Sequence, residues 1–182
     1  MLTYAFIANS ETLNPDDYNW EYENDEMKFR FFITSDMETN KKIAKELADD
    51  GFEYLDLCGD FDDEMTKEIS NAAGGRLEVA HAGFSEEEES KFNSLEKMDE
   101  YGLIIMAEGL ESGAKIEHRI TSCEFNTTIN IVSNDDVAIA AAKDLSDRGI
   151  DFIEFCSYFD AAKTADIIAA TGGKTPIGSC GE

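Results

Sequence analysis

The spacing of apolar and polar positions changes several times along the chain, and the whole series of changes occurs twice. An apolar run opens it at Tyr4–Ala8, and a polar segment of irregular pattern follows. A second strand is predicted at Lys28–Thr34. Ile43, Ala44 and Leu47 then recur at helical spacing behind Ser35-Asp36, which offer N-cap oxygens. Gly51 stands where a glycine ends a helix. Phe52–Cys58 predicts a third strand, Asp63–Ala73 a second helix stopping at Gly74-Gly75, and Leu77–Ala82 a fourth strand. Glu53 and Asp56 fall on opposite faces of the third strand, so one of them is expected near a strand end.

The second pass is Leu103–Met106, then Thr128–Val132, then a helix behind Ser133-Asn134 carrying Ile139, Ala142 and Leu145. Gly149 ends that helix, and Ile150–Cys156, Ala161–Thr171, Gly172-Gly173 and Thr175–Ser179 complete the unit. Laying Ile33–Gly83 over Ile131–Gly181 without a gap gives 51 pairs and 16 identities. Average composition would give about three by chance. The chain is an internal duplication with an offset of 98 residues.

Strands alternating with helices imply a parallel sheet joined by crossovers. The expected fold class is α/β: two tandem, four-stranded, mainly parallel repeats packed as a pseudo-dimer, with ferredoxin-like α+β repeats as the alternative. The expected boundaries are 1–84 for the first repeat, 85–100 for a connecting helix and 101–182 for the second repeat. In the connector, Ser85 and Glu88 form a capping-box pattern and acids crowd the first turn. This predicts a solvated surface helix, with a cation site as the other reading.

Charge changes the functional picture. The chain has 40 acidic and 15 basic residues, a net charge of −25, spread as −16 over residues 1–98 and −9 over residues 99–182. Such a surface repels nucleic acid and anionic membranes. A solubilising acidic coat, a cationic or metal partner, and mimicry of nucleic acid toward a basic protein stay open. No basic leader and no apolar stretch near 20 residues is visible, so a cytoplasmic location is expected. The four cysteines show no CxxC spacing, which predicts reduced thiols.

The segment Leu57-Cys58-Gly59-Asp60-Phe61, with the Gly-Gly helix end that follows, resembles a family of small bacterial and archaeal proteins catalogued only as a domain of unknown function. Members resemble one of these units. Their pattern also includes a His-Arg pair, which His118-Arg119 matches in the second unit. Each unit lacks the other's feature: position 20, equivalent to His118, is Trp20, and Gly59 becomes Ser157. The resemblance carries no established activity. A fainter similarity to the βα units of keto-acid aldolases lacks the aldolase lysine.

Ligands bind open parallel sheets at the carboxyl ends of strands. Candidate catalytic residues there are Cys58, His81 and His118, with Cys58 and His81 a plausible thiol–base pair. Gly59, Asp60, Arg119 and Cys156 are candidate ligand-binding residues. The competing readings are two buried structural cysteines and an arginine paired with local acids. Tyr18, Trp20 and Tyr22 either line a pocket or cover a sheet edge. No metal-ligand spacing and no known cofactor fingerprint is present, so metal is expected to be absent and the cofactor is unspecified.

Two functions of different class follow. One is a binder of a small molecule, or a minor enzyme, with its pocket at the strand ends and long loops of one unit. The other is an interaction or regulatory module whose acidic surface meets a basic partner. The expected assembly is a monomeric pseudo-dimer or a homodimer.

Overall fold

The computed structural model of the chain describes residues 1–181. Contacts divide the chain into Met1–His81 and Ala82–Glu182. The first unit runs β1 (Leu2–Asn9), β2 (Asn19–Glu23), β3 (Met27–Thr34), α1 (Met37–Asp49), β4 (Tyr54–Leu57), α2 (Asp63–Ala72) and β5 (Glu78–His81). The second runs α3 (Glu86–Phe92), β6 (Glu100–Met106), β7 (Lys115–Thr121), β8 (Asn126–Val132), α4 (Asp135–Asp147), β9 (Phe152–Phe155), α5 (Ala161–Thr171) and β10 (Ile177–Ser179).

Each unit holds a five-stranded sheet, ordered β2-β3-β1-β4-β5 and β10-β9-β6-β8-β7. All pairings are parallel except the edge hairpins β2–β3 and β7–β8. The α/β class is as expected, and the parallel crossovers exclude the ferredoxin-like alternative. The fifth strand is a correction. The segments expected to be irregular, around Trp20 and His118, are edge strands whose side chains alternate between half-buried and exposed. Charged residues fill their outer positions, so the period of two is hidden among acids.

Local chemistry explains the helices. Asp36 and Asn134 cap α1 and α4 by accepting from Thr39 N at 2.8 Å and Val137 N at 3.0 Å. Asp62 and Asp160 do the same for α2 and α5. Gly51 and Gly149 follow α1 and α4 with φ of +81° and +82°, a conformation costly for residues with a Cβ. Ile139 is only half-buried, because the inward face of α4 is Ala138, Ala141, Ala142 and Leu145.

In the first unit, β3→β4 and β4→β5 cross in the same direction along the sheet, so α1 and α2 share one face and pack together. That face carries Ala5, Ile7, Leu55 and Leu57, all buried. The opposite face carries Tyr4, Phe6, Phe29 and Phe31, also buried, with Tyr4 stacked on Phe29 at 5.4 Å and Phe6 on Phe31 at 6.2 Å.

The helix expected over residues 85–100 covers only Glu86–Phe92, and its acids are not all solvated. Glu88 is buried, accepts from Ile177 N at 2.9 Å and binds Lys91 Nζ at 2.5 Å. Gly83 pairs with Ser179, and the Phe84 ring lies flat enough on Gly178 that a Cβ there would come within 2.7 Å of it. The segment is a cover for the β10 edge, and a buried carboxylate needs the donors it finds there.

Among the described residues no helix is long and apolar enough to cross a membrane, and no cysteine is in a disulfide. Most lysines and arginines are in surface ion pairs, such as Lys41 with Glu68 at 2.8 Å and Arg76 with Asp49 at 2.8 Å. Exposed pairs contribute only about 0–1 kcal/mol each. Self-repulsion from a net charge of −25 is therefore the larger electrostatic effect. Raising NaCl from low concentration to 1 M is expected to raise the melting temperature, since screening acts on the repulsion more than on the pairs. Calorimetry over that series checks this, and a falling melting temperature refutes it.

Candidate functional site

Cys58 and Cys156 occupy equivalent places just past β4 and β9, and both are buried. The thiol of Cys58 accepts from Asn9 N at 3.2 Å, and that of Cys156 from Met106 N at 3.4 Å. Gly59 and Asp60 form the exposed turn that leads from β4 to α2, closed by Phe61 N on Cys58 O. His81 ends β5 in register with Leu57, on the face that bears the helices. Its Nδ1 lies 3.2 Å from Thr66 Oγ1 and its Nε2 3.9 Å from Asp63, both of α2. The ring is thus engaged with α2, and the strand alternation sends Cys58 to the other face. The structure does not form the Cys58–His81 pair that the sequence makes plausible.

His118 and Arg119 lie in β7, not in a loop. His118 shares a face with Ile116 and Ile120 and stands opposite Ile129. Burial holds its imidazole below the ordinary value of 6.5. Arg119 points to the other face, donating to Glu100 at 2.9 Å and Thr128 at 3.0 Å. That pairing with a local acid holds the Glu100 carboxyl below its ordinary value. Trp20, the counterpart of His118, packs edge-on against Phe29 at 6.0 Å, so it covers the sheet edge.

One pair of groups was missed. Asp56, in the middle of β4, is buried, and the Tyr4 hydroxyl donates to it at 2.8 Å. Glu154 in β9 is equally buried, and Tyr101 donates to it at 2.6 Å. Position for position these are the same bond, once in each unit. The repeat alignment contains the signal, since an acid is kept in the centre of both apolar strands, YLDLC and FIEFC. Glu53 stands just ahead of β4, as expected of one of the two acids, and Asp56 lies inside the strand, where a tyrosine from the adjacent strand makes its burial tolerable.

The units part company at the edge hairpin. In the second, β7 stays paired to Lys115↔Val132, and Ser133 continues the closure by donating to Ala114 O and accepting from Gly113 N. Glu117, Lys115, Asp144 and Arg148 then tie β7 to α4, with Arg148–Glu117 at 2.8 Å. In the first, the pairing ends at Ile33 N on Tyr18 O, and the chain turns away through Asn14–Asp17. Asn14 Oδ1 holds Asp16 N at 2.9 Å, and Asn19 Nδ2 holds Pro15 O at 2.8 Å. The departing loop leaves a groove of about 570 Å³ between β2, α1 and the end of β3. Leu13, Phe32 and Ile43 give it apolar surface, and Asn14, Asn19, Ser35 and Thr39 give it polar groups. Arg30 at its wall is bound to Glu21 at 2.6 Å and Asp50 at 3.0 Å. None of the residues expected to bind or react lines this groove, and Trp20 borders it only along β2, its ring packing on Phe29 at the opposite face.

Two outcomes are expected. Following the histidine ring protons by NMR, His118 titrates with a midpoint below 6.5, and a midpoint above it contradicts the burial. Since its folded pKa is depressed, protonation favours the unfolded chain, so its contribution makes the fold less stable as pH falls through 6.5. Tyr4→Phe and Tyr101→Phe keep the ring packing but remove one donor from a buried carboxylate. Each is expected to cost about 1–3 kcal/mol in urea unfolding, and a change within error would show that the bond contributes nothing.

No curated protein matches the chain. A family of unknown function, DUF6506, matches it twice, over residues 2–97 and 99–181, which together span almost the whole sequence. With two matches in tandem and two units of one topology, the chain belongs to the DUF6506 family as a duplicated member.

Proposed function

We propose that the protein binds one small polar molecule, neutral or cationic, in the groove of the first unit. The observation that carries this reading is the groove itself, about 570 Å³ at the carboxyl end of β3. Its volume falls within the range of about 300–1,000 Å³ usual for small-molecule sites. Its place matches the rule that open parallel sheets take ligands beyond the carboxyl ends of their strands. Its ionisable lining is Asp16, Glu21, Asp36 and Glu46 against Arg30 and Lys42. Arg30 is already bound to two acids, and Lys42 is mostly exposed. The residual field is negative, which disfavours phosphates and carboxylates and favours amines and uncharged polar compounds. Leu13, Phe32 and Ile43 supply contact for a short apolar portion.

The test is a melting-temperature screen of amines, amino alcohols, sugars and organic acids, followed by Ser35→Trp. Ser35 is an exposed lining residue, so the indole fills the groove with little effect on the core. Hits are expected among the neutral and cationic compounds, with at least tenfold weaker binding in Ser35→Trp. Binding that survives this substitution, or a hit list of anions, overturns the proposal.

A further inference from the structure

Asn130 in β8 is fully buried, and neither its side-chain nitrogen nor its oxygen has a hydrogen-bond partner. An amide in that condition costs free energy unless something bonds it. Its surroundings indicate what that is. Asn130 lies opposite Glu117 and beside Ile104, on the face covered by α4. By the 98-residue offset its counterpart is Phe32, which with Ile43 lines the groove of the first unit. In the second unit Phe32 becomes Asn130, Ile43 becomes Ala141 and Asn40 becomes Ala138. Three side chains therefore shrink under one helix. The exit that the groove uses is closed there, because β7 stays paired up to Ser133 and the Glu117–Arg148 cluster ties the edge strand to α4.

We propose that the second unit encloses a site for one small neutral molecule that bonds the Asn130 amide. The guest must accept from Nδ2 and donate to Oδ1. Water has that chemistry, and so does a primary amide; a carboxylate or an ammonium offers only half of it. The site is independent of the groove in the first unit, since the two share no residue and stand or fall separately.

A crystal structure of the full chain, at a resolution that shows ordered water, tests this, with one crystal grown in plain buffer and one soaked in acetamide. The expected result is density, not belonging to the chain, within hydrogen-bond distance of both Asn130 side-chain atoms. A single peak unchanged by the soak assigns the site to water, and a larger planar peak after it assigns the site to the amide. Asn130→Leu is expected to abolish the density while β8 keeps its pairing. In solution, the Asn130 side-chain amide protons are expected to show exchange-independent transfer from a bound water or from acetamide, which serves if Asn130→Leu does not fold. Wild-type crystals with no density beside Asn130 in either condition overturn the proposal.

Discussion

A carboxylate buried in the middle of a β-strand sets the register of both sheets. Asp56 and Glu154 each take a hydroxyl bond from the tyrosine near the start of the neighbouring strand. Strand side chains alternate faces, so a slip of one residue between β1 and β4 would turn Asp56 toward the helices and leave Tyr4 on the other side. Such a slip exchanges a hydrogen bond for a buried acid that has lost its tyrosine, a difference of about 1–3 kcal/mol. The hydrophobic pattern alone would specify this register weakly, because β4 and β9 bury residues on both faces. The acid–tyrosine bond supplies the missing specification. It also places the cysteines, since Cys58 and Cys156 follow their acids by two residues and share their face.

With the centre of each sheet held in this way, the edges were left to diverge. The arginine that ties the edge strand to the long helix has moved between the repeats. In the first unit it is Arg30 on β3, meeting Glu21 of β2 and Asp50 after α1. In the second it is Arg148 after α4, meeting Glu117 of β7 and Asp144 of its own helix. Asp50 and Arg148 are equivalent positions of opposite charge, as are Glu21 and Arg119. Each unit keeps an arginine bridge between the edge strand and the end of the long helix, and the second builds it from positions other than those the first uses. The edge is thus the part of the fold where sequence could change without loss of the core.

Much of the fold was legible in the sequence because its signals are local and repeated. Caps at Asp36 and Asn134, glycines after both long helices and the Gly-Gly stops needed no tertiary information. The edge strands were not legible, since Asn19–Glu23 and Lys115–Thr121 bury only one face and fill the other with charge. Glu88 was unreadable for a different reason: its burial depends on a backbone N–H that lies 89 residues away. The candidate site was the least legible part. Cysteine and histidine drew attention as the reactive residue types, but His81 is hydrogen-bonded to Thr66 of α2 and faces away from Cys58. The groove is lined by unremarkable residue types, and what creates it is the early departure of one loop from its partner strand.

That departure and the buried amide of the second unit are two outcomes of the same structural choice. Where the hairpin opens, as at Tyr18, the space over β3 meets solvent, and the large apolar side chains of Phe32 and Ile43 line it. Where the hairpin stays closed, up to Ser133, the corresponding strand position is shut off from solvent, and Asn130 is fully buried. The second unit instead has alanines on the helix and Asn130 on the strand. An apolar residue at Asn130 would serve stability better than an amide with no partner in the chain. Its polarity is the feature on which the proposed guest of the second unit rests, as the polar lining of the open groove is for the proposed ligand of the first. The duplication supplied two copies of one pocket position, and the hairpin beside each decided whether it faces solvent or the interior.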